Sequence, residues 1–239
     1  MSVIYLTCTG DVMNKISKTN EKKGQSQSAY DDIKNLIISN KLSPGTYISE
    51  AAIIEELPYG RTPVREAFIR LSCDGLVNIH PRKGIEVANI SPHKLYDIYE
   101  IRQFVEPIFI QENFEGLDRA TLAEYRDKFS GSKDMIQDVG NDRVEAILHA
   151  TKVDLDFHLA LLATCGNGYY KEMLKSFFDY LSMVRVAVSF NRKRFHDGLS
   201  EHDAIIDAIL KNDLEATISA LRLHLQSSYF SIMREFSLF

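Results

Sequence analysis

Residues 60–84 read GRTPVREAFIRLSCDGLVNIHPRKG, from Gly60 to Gly84, and the order of signals in this stretch decides the fold of the first part of the chain. Thr62 and Pro63 suit a helix start, because a threonine hydroxyl can cap orphan amides and proline's missing N–H is no loss in a first turn. Gly75 suits the stop. Between them Val64, Ala67, Phe68 and Leu71 recur at helical spacing and predict one buried stripe. Arg61 and Arg65, four apart, share a different face near the helix entrance. After Gly75, two short apolar strands flank a basic turn at Arg82 and Lys83. A helix, a glycine stop and a hairpin in that order predict a winged helix-turn-helix. Its two guanidinium forks are of the kind that meets guanine or phosphate oxygens in a major groove.

Working outward, Ile33, Leu36 and Ile37 predict a first helix upstream, and the turn LSPGTYISE (Leu42 to Glu50) leads into a second, AAIIEEL (Ala51 to Leu57). From about Tyr30 to Asn89 the sequence resembles the DNA-binding domain of the GntR family of bacterial transcription regulators. RTPVREAF is similar to the recognition-helix signature of that family's FadR-like branch. The resemblance implies a double-stranded DNA operator as partner, contacted by Arg61, Thr62 and Arg65 on the recognition helix and by Arg82, Lys83 and Gly84 at the wing tip. One departure concerns the turn before the recognition helix. Where the family usually has Gly-Val-Ser, this chain has Pro58, Tyr59 and Gly60.

With 239 residues, 45% of them hydrophobic, the chain can bury one large core or two ordinary ones. No apolar run approaches the roughly 20 residues of a spanning helix, so no membrane partner is expected. Cys8, Cys73 and Cys165 are odd in number, far apart and without a C-x-x-C pair, which argues against a disulfide framework or a zinc finger and for a cytoplasmic location. The net charge of -5 does not advertise nucleic-acid binding. The sign separates by element, however: Glu50, Glu55 and Glu56 fall on the second helix, whereas Arg61, Arg65, Arg82 and Lys83 fall on the recognition helix and wing. Residues 1–26 begin apolar without a basic stretch before them, which makes a poor signal peptide, and continue as NKISKTNEKKGQSQS. That composition predicts a disordered arm, with Met13 as an alternative start. Residues 27–90 are then the winged helix-turn-helix, three helices plus a small β-hairpin wing.

Residues 91–239 predict an all-α antiparallel helical bundle, making the chain mainly α. Ser91-Pro92 reads as a cap followed by proline at the first helical position. A helix from about Pro92 to Asn113 is expected to turn Leu95, Ile98, Ile101 or Val105, and Ile108 inward. Gly116-Leu117 ends it. Further helices are expected at about 118–138, 142–164, 168–192, 199–211 and 213–236, broken at Gly140-Asn141, Gly166-Asn167-Gly168 and Lys211-Asn212-Asp213. Asp154 and His158, four apart, project a carboxylate and an imidazole from one helix face, while His202 and His224 stand on the last two helices. Brought together, the four supply three nitrogens and one oxygen, a set suited to Zn, Ni, Mn or Fe with open positions. Spacing leaves the alternative of ordinary surface or hydrogen-bonded histidines. Other histidines are less persuasive: His80 falls in the wing, His93 at a helix start, and His149 and His196 fit no shared face with the set.

An Asp-x-x-x-His pair followed by two more helical histidines, about forty and then about twenty residues on, resembles the FCD effector-binding domain of many FadR-like regulators. The resemblance implies a divalent transition metal on Asp154, His158, His202 and His224, a small carboxylate effector beside it, and a homodimer addressing an inverted repeat, most often as a repressor. It argues against a fatty-acyl effector. Arg102, in YEIRQFVEP, matches a family arginine that points into the effector pocket, with pairing to Glu100 or Glu106 on the helix surface as the alternative. Asn167 matches a recurring family asparagine and is expected to cap a helix C-terminus. On this reading the chain is not an enzyme. The residues alone also admit a metal-dependent hydrolase using the Asp/His set, or a metal-free ligand-binding regulator.

Overall fold

The structure, a computed structural model, describes residues 10–137, 143–188 and 192–236, and it divides into two compact units. The first unit contains α1 (Gly10–Ile38), β1 (Tyr47–Ile48), α2 (Glu50–Glu56), α3 (Arg61–Cys73), β2 (Val77–His80) and β3 (Gly84–Val87). Its core includes the expected stripe: Val64, Ala67, Phe68 and Leu71 of α3 are closed off completely or nearly so, as are Ile33 and Ile37 of α1 and Ile53 of α2. Residues 10–26, expected as a disordered arm, are instead helical as the start of α1. Lys15, Lys18, Glu21, Lys22, Lys23 and Gln25 are good helix formers, and the packed turns at Ala29, Tyr30, Ile33 and Ile37 can propagate helix backward once nucleated. Residues 1–9 of the arm, and the break at Gly140-Asn141, lie outside the described residues.

α3 ends as anticipated. Gly75 takes a φ of 71°, its N–H reaches the Ser72 carbonyl at 3.1 Å, and the Leu76 N–H reaches the Leu71 carbonyl at 2.9 Å, the paired bonds of a Schellman motif. The start differs. α3 begins at Arg61 with Gly60 as its N-cap, which has no side chain to offer, so Thr62 is inside the helix and not the cap. The wing is a three-stranded antiparallel sheet in the order β1-β3-β2, so the stretch read as a plain turn before α2 contributes an edge strand pairing Tyr47 with Glu86 and Ile48 with Ile85. At the hairpin tip Pro81 precedes Arg82, whose φ is 66°, and the Lys83 N–H returns to the His80 carbonyl at 3.2 Å. Proline second and positive φ third is the pattern of a type II turn.

The second unit is a helical bundle: α4 (Pro92–Asn113), a 3-10 turn (Phe114–Gly116), α5 (Arg119–Ala123), α6 (Tyr125–Gln137), α7 (Arg143–Leu161), α8 (Gly168–Ala187), α9 (Arg192–Leu210) and α10 (Leu214–Phe236). Ser91 caps α4 by accepting from the Lys94 N–H at 3.3 Å, with Pro92 at the first helical position. Leu95, Ile98 and Ile110 of α4 are buried, but Ile108, expected inward, is 51% exposed. The helix expected over 118–138 is two, α5 and α6, broken at Glu124, and α9 starts at Arg192 rather than near 199. Asn167 is an N-cap, not a C-cap: its Oδ1 accepts from the Tyr170 N–H at 3.0 Å at the head of α8. The apolar interior runs from Ile110 and Phe114 through Phe129 and Phe157 to Ile205, Ile209, Leu221 and Leu225. Four of the helices around it, α4, α7, α9 and α10, carry the charged and histidine side chains buried with it, Arg102, Glu106, Asp154, His158, His202 and His224.

Candidate metal centre and DNA-reading edge

In the first unit, Arg61, Thr62 and Arg65 are exposed on the outer face of α3, opposite its apolar stripe, and Arg82, Lys83 and Gly84 are exposed at the wing tip. Arg61, Arg65, Arg82 and Lys83 form no ion pair or hydrogen bond through their side chains among the described residues. Arg70, farther along α3, is already engaged: it donates to Gln27 at 2.8 Å and lies 4.1 Å over the Tyr30 ring, whose hydroxyl donates to Asp74 at 2.7 Å. Pairing charge away at one end of α3 leaves Arg61 and Arg65 as the cations open to a phosphate or base edge. The altered turn before α3 has its own anchor. The Tyr59 hydroxyl donates to Asp32 on α1 at 2.6 Å, which ties the entrance of α3 to α1 where a capping side chain is lacking.

In the second unit, Asp154 and His158 of α7, His202 of α9 and His224 of α10 converge: one ligand atom from each lies within 4.8 Å of all the others, and all four residues are buried. His202 Nε2 is 3.1 Å from Asp154 Oδ1. His158 Nε2 approaches the same oxygen only to 3.5 Å and makes no hydrogen bond. His202 Nδ1 is likewise buried with no partner. Unpartnered buried nitrogens are rare and need a reason.

Carboxylates behind the ring set its orientation. Glu106 of α4 accepts from His158 Nδ1 at 2.7 Å and from Arg102 Nε at 2.7 Å. Burial alone would raise the Glu106 carboxyl, but Arg102 and His158 outweigh it and hold the pKa down at about 2. An ionised carboxylate can only accept, so Nδ1 of His158 donates, and a neutral ring then keeps its lone pair on Nε2. Glu201 does the same for His224, accepting from Nδ1 at 3.0 Å while Arg194 grips it at 3.1 and 2.8 Å. Burial, aided by the neighbouring His202, drives His224 well below the usual histidine range; burial also lowers His202, although Asp154 opposes it. Burial raises Asp154, but the close approach of His158, the hydrogen bond with His202 and the charge of Arg185 carry it well below the ordinary carboxylate range. Neutral His202 and His224 beside an ionised Asp154 are the protonation states a divalent metal requires, whereas at His158 burial is outweighed by the charge of Glu106, which raises the imidazole, so that a metal there would have to displace a proton. Donor chemistry, unpartnered nitrogens and orienting carboxylates all fit such an ion. Glu201 and Arg185 were not singled out in the sequence, and Glu106 entered there only as a possible partner of Arg102, not of His158. The two glutamates lack any local signal, because each acts on a residue more than a helix away.

The four ligand candidates are therefore brought together, while Arg102 is placed elsewhere. It is buried rather than on the helix surface, bonded to Glu106 and 4.7 Å over the Phe178 ring, and it does not line the neighbouring cavity. That cavity, of about 150 Å³, is bordered by Asp154, His202 and His224, and its arginines are Arg185 and Arg194. His149 contacts Ser132 at 3.3 Å and stays out of the set, as expected.

Comparison with known proteins gives a consistent picture. The family "Bacterial regulatory proteins, gntR family" matches residues 25–87 and the FCD domain matches residues 97–227. An HTH-type transcriptional regulator encoded in an unstable DNA locus of Streptomyces ambofaciens is 26% identical over 92% of this chain and 89% of its own length. The HTH-type transcriptional repressor GlaR of Escherichia coli K12 is 25% identical over 84% and 92%. Among solved structures, E. coli McbR/YncC superposes with a TM-score of 0.72 at 20% identity, covering 89% of this chain and 98% of that one, and shares the fold. These relatives are transcription regulators and not enzymes, which sets aside the hydrolase alternative. No helix among the described residues is long and apolar enough to cross a membrane.

Proposed function

We propose, from the premise that this chain belongs to the GntR family of bacterial regulatory proteins and carries an FCD domain, that it is a cytoplasmic, metal-dependent, ligand-relieved repressor acting as a homodimer on an inverted-repeat operator. DNA binding and regulation belong to the family. The finer reading rests on one observation: three of the four clustered ligand candidates, Asp154, His202 and His224, stand in the wall of a cavity, so a molecule seated there meets the metal directly. A divalent transition metal held by Asp154, His158, His202 and His224 offers an open position to a carboxylate oxygen. Around it, Glu106 and Glu201 hold two imidazoles in place, and Arg185 holds Asp154 at 3.0 Å while facing the cavity. Seating an effector against Arg185 and the histidines favours one packing of α7, α9 and α10 over another, and a ligand with that preference shifts the population that binds DNA. Arg61, Thr62 and Arg65 address bases and phosphates, and Arg82, Lys83 and Gly84 meet the flanking backbone. Arg102 serves the site through Glu106 rather than by touching the effector.

The test is a pull-down of sheared genomic DNA from the source organism with purified protein, followed by sequencing. Enrichment of a few fragments sharing an inverted repeat, lost in Arg65→Ala, is the expected result. Fragments without dyad symmetry would remove the homodimer reading, and equal retention by the variant would remove Arg65 from the interface.

A further inference from the structure

The wall of the cavity beside Asp154, His202 and His224 is of two kinds. Phe129, Ile136, Ile147, Val188, Leu199 and Ile232 make most of it hydrocarbon. The polar part is smaller and largely committed. The Ser132 hydroxyl donates to the Lys128 carbonyl at 3.1 Å, the Thr151 hydroxyl to the Ile147 carbonyl at 2.8 Å, and Ser228 Oγ accepts from Arg194 at 2.8 Å. Arg194 is also held in a two-pronged grip by Glu201. Arg185 is less fully used: Nη2 donates to Asp154 at 3.0 Å and Nη1 to Thr151 at 3.3 Å, which leaves further donors of its five. The site thus presents one cationic fork and the metal ligands at its polar end.

Each ligand class fares differently against that wall. A sugar acid would bury several hydroxyls where, of the hydroxyls in the wall, those of Ser132, Thr151 and Ser228 are engaged and Ser231 adds one more, too few to satisfy a polyol, and unpartnered buried polar groups are unfavourable. A dicarboxylate needs a second cation, and the second arginine is taken up by Glu201. An apolar body finds carbon on most sides, and a cavity of roughly 150 Å³ lined by leucine, isoleucine and phenylalanine accommodates a benzene ring. Resting on the reading above that a small carboxylate binds beside the metal, we propose that the effector is a monocarboxylate with a compact apolar body, aromatic or branched aliphatic. Its carboxylate meets the metal and Arg185, and its carbon skeleton packs on Ile147 and Phe129.

The experiment is isothermal titration of the full-length protein, with and without added zinc, using benzoate, 3-methylbutanoate, acetate, succinate, gluconate and benzyl alcohol. Benzoate and 3-methylbutanoate are expected to bind roughly tenfold or more tighter than acetate, because the added carbon leaves water. They should also exceed succinate, gluconate and benzyl alcohol. Ala150→Phe, which narrows the cavity for a bulky body, should abolish benzoate binding and weaken acetate binding far less; Ile147→Ser should weaken benzoate alone, and it serves if the larger residue disturbs folding. Tighter binding of succinate or gluconate than of benzoate overturns this inference and leaves the carboxylate reading intact. Benzyl alcohol matching benzoate overturns the role of the carboxylate. No heat from any carboxylate, acetate included, overturns the underlying reading itself.

Discussion

At the scale of single residues, Glu106 is the side chain on which the metal reading turns. It is fully buried between Arg102 and His158, each 2.7 Å away, with the Tyr170 hydroxyl at 3.4 Å. Replacing it by glutamine keeps the volume and removes the charge. The amide keeps one accepting oxygen for two donors, so either His158 loses the acceptor that fixes its tautomer or Arg102 loses its bond, and Arg102, whose Nη2 already lacks a partner, is left a buried cation without a countercharge. Glu106→Gln should therefore weaken metal binding about 10- to 100-fold in chelator competition. It should also destabilise the metal-free domain by about 3–5 kcal/mol in denaturant titration. A variant that is merely less stable, with metal affinity unchanged, would show that Glu106 serves packing and not the metal. The contrast with Asp154 explains what the sequence could reveal at this scale. Asp154 and His158 are four apart on one helix, so their shared face is legible from spacing; Glu106 and His158 lie 52 positions apart and meet only after α4 and α7 have packed. Arg102 was legible through the family resemblance, but its partner could not be chosen between Glu100 and Glu106, because which helix face is buried is decided by the rest of the bundle.

At the scale of elements, α3 and the wing each carry a local flaw that can be corrected to test their roles. Gly60 has a φ of -77° and a ψ of 176°, a backbone any residue can adopt, and a Cβ there would meet nothing within 4 Å. Gly60→Ser supplies the missing cap and stiffens the unfolded chain, so it should stabilise the first unit by about 0.5–1 kcal/mol in thermal or denaturant unfolding, with operator binding retained. A loss of stability would mean that the entrance of α3 is held differently, through Tyr59 and Asp32. At the wing tip, Arg82 occupies left-handed backbone, where glycine is at ease and arginine is not. Arg82→Gly should raise stability by up to about 1 kcal/mol while weakening operator affinity, and Arg82→Ala should weaken affinity without that gain. Equal operator affinity across all three proteins would exclude Arg82 from the DNA contact. These elements were readable because α3 has a stripe, a proline and a terminal glycine in the right order. β1 was not, since two residues cannot display alternation, and the break at Glu124 was not, since no glycine or proline marks it and tertiary packing alone divides α5 from α6.

At the scale of the whole molecule, two expectations join the units to one function without depending on how they are arranged. Chelation of metal should lower the melting temperature of the helical unit by about 5–10 °C, the shift expected when an ion present at roughly 100 times its dissociation constant is withdrawn. His158→Ala should melt at the lower temperature whether or not chelator is present; a wild-type melting curve indifferent to chelator would dispose of the metal. The second expectation concerns assembly. α4 and α10 pack side by side, and their outer faces show carbon to water: Phe104 is 67% and Ile108 51% exposed on one, Leu223 59% and Phe230 54% on the other. Phe104 and Ile108 are four apart and share a face, which is why the expectation that Ile108 points into the bundle fails while its hydrophobicity still has a use. Apolar faces of this kind are suited to a second copy, and a single winged helix touches too few base pairs for tight, selective binding, so doubling is what an operator requires. Introducing charge with Phe104→Glu and Ile108→Glu together should turn a dimer into a monomer in sedimentation at micromolar concentration. Operator affinity should fall by about 10²- to 10⁴-fold, since the second half-site contact is no longer tethered to the first. Metal content should stay at the wild-type level, because neither residue approaches Asp154 or the histidines, and that control separates lost assembly from lost folding. A double variant that remains dimeric would move the interface to another face, and one that becomes monomeric yet binds the operator as tightly would mean that a single winged helix suffices.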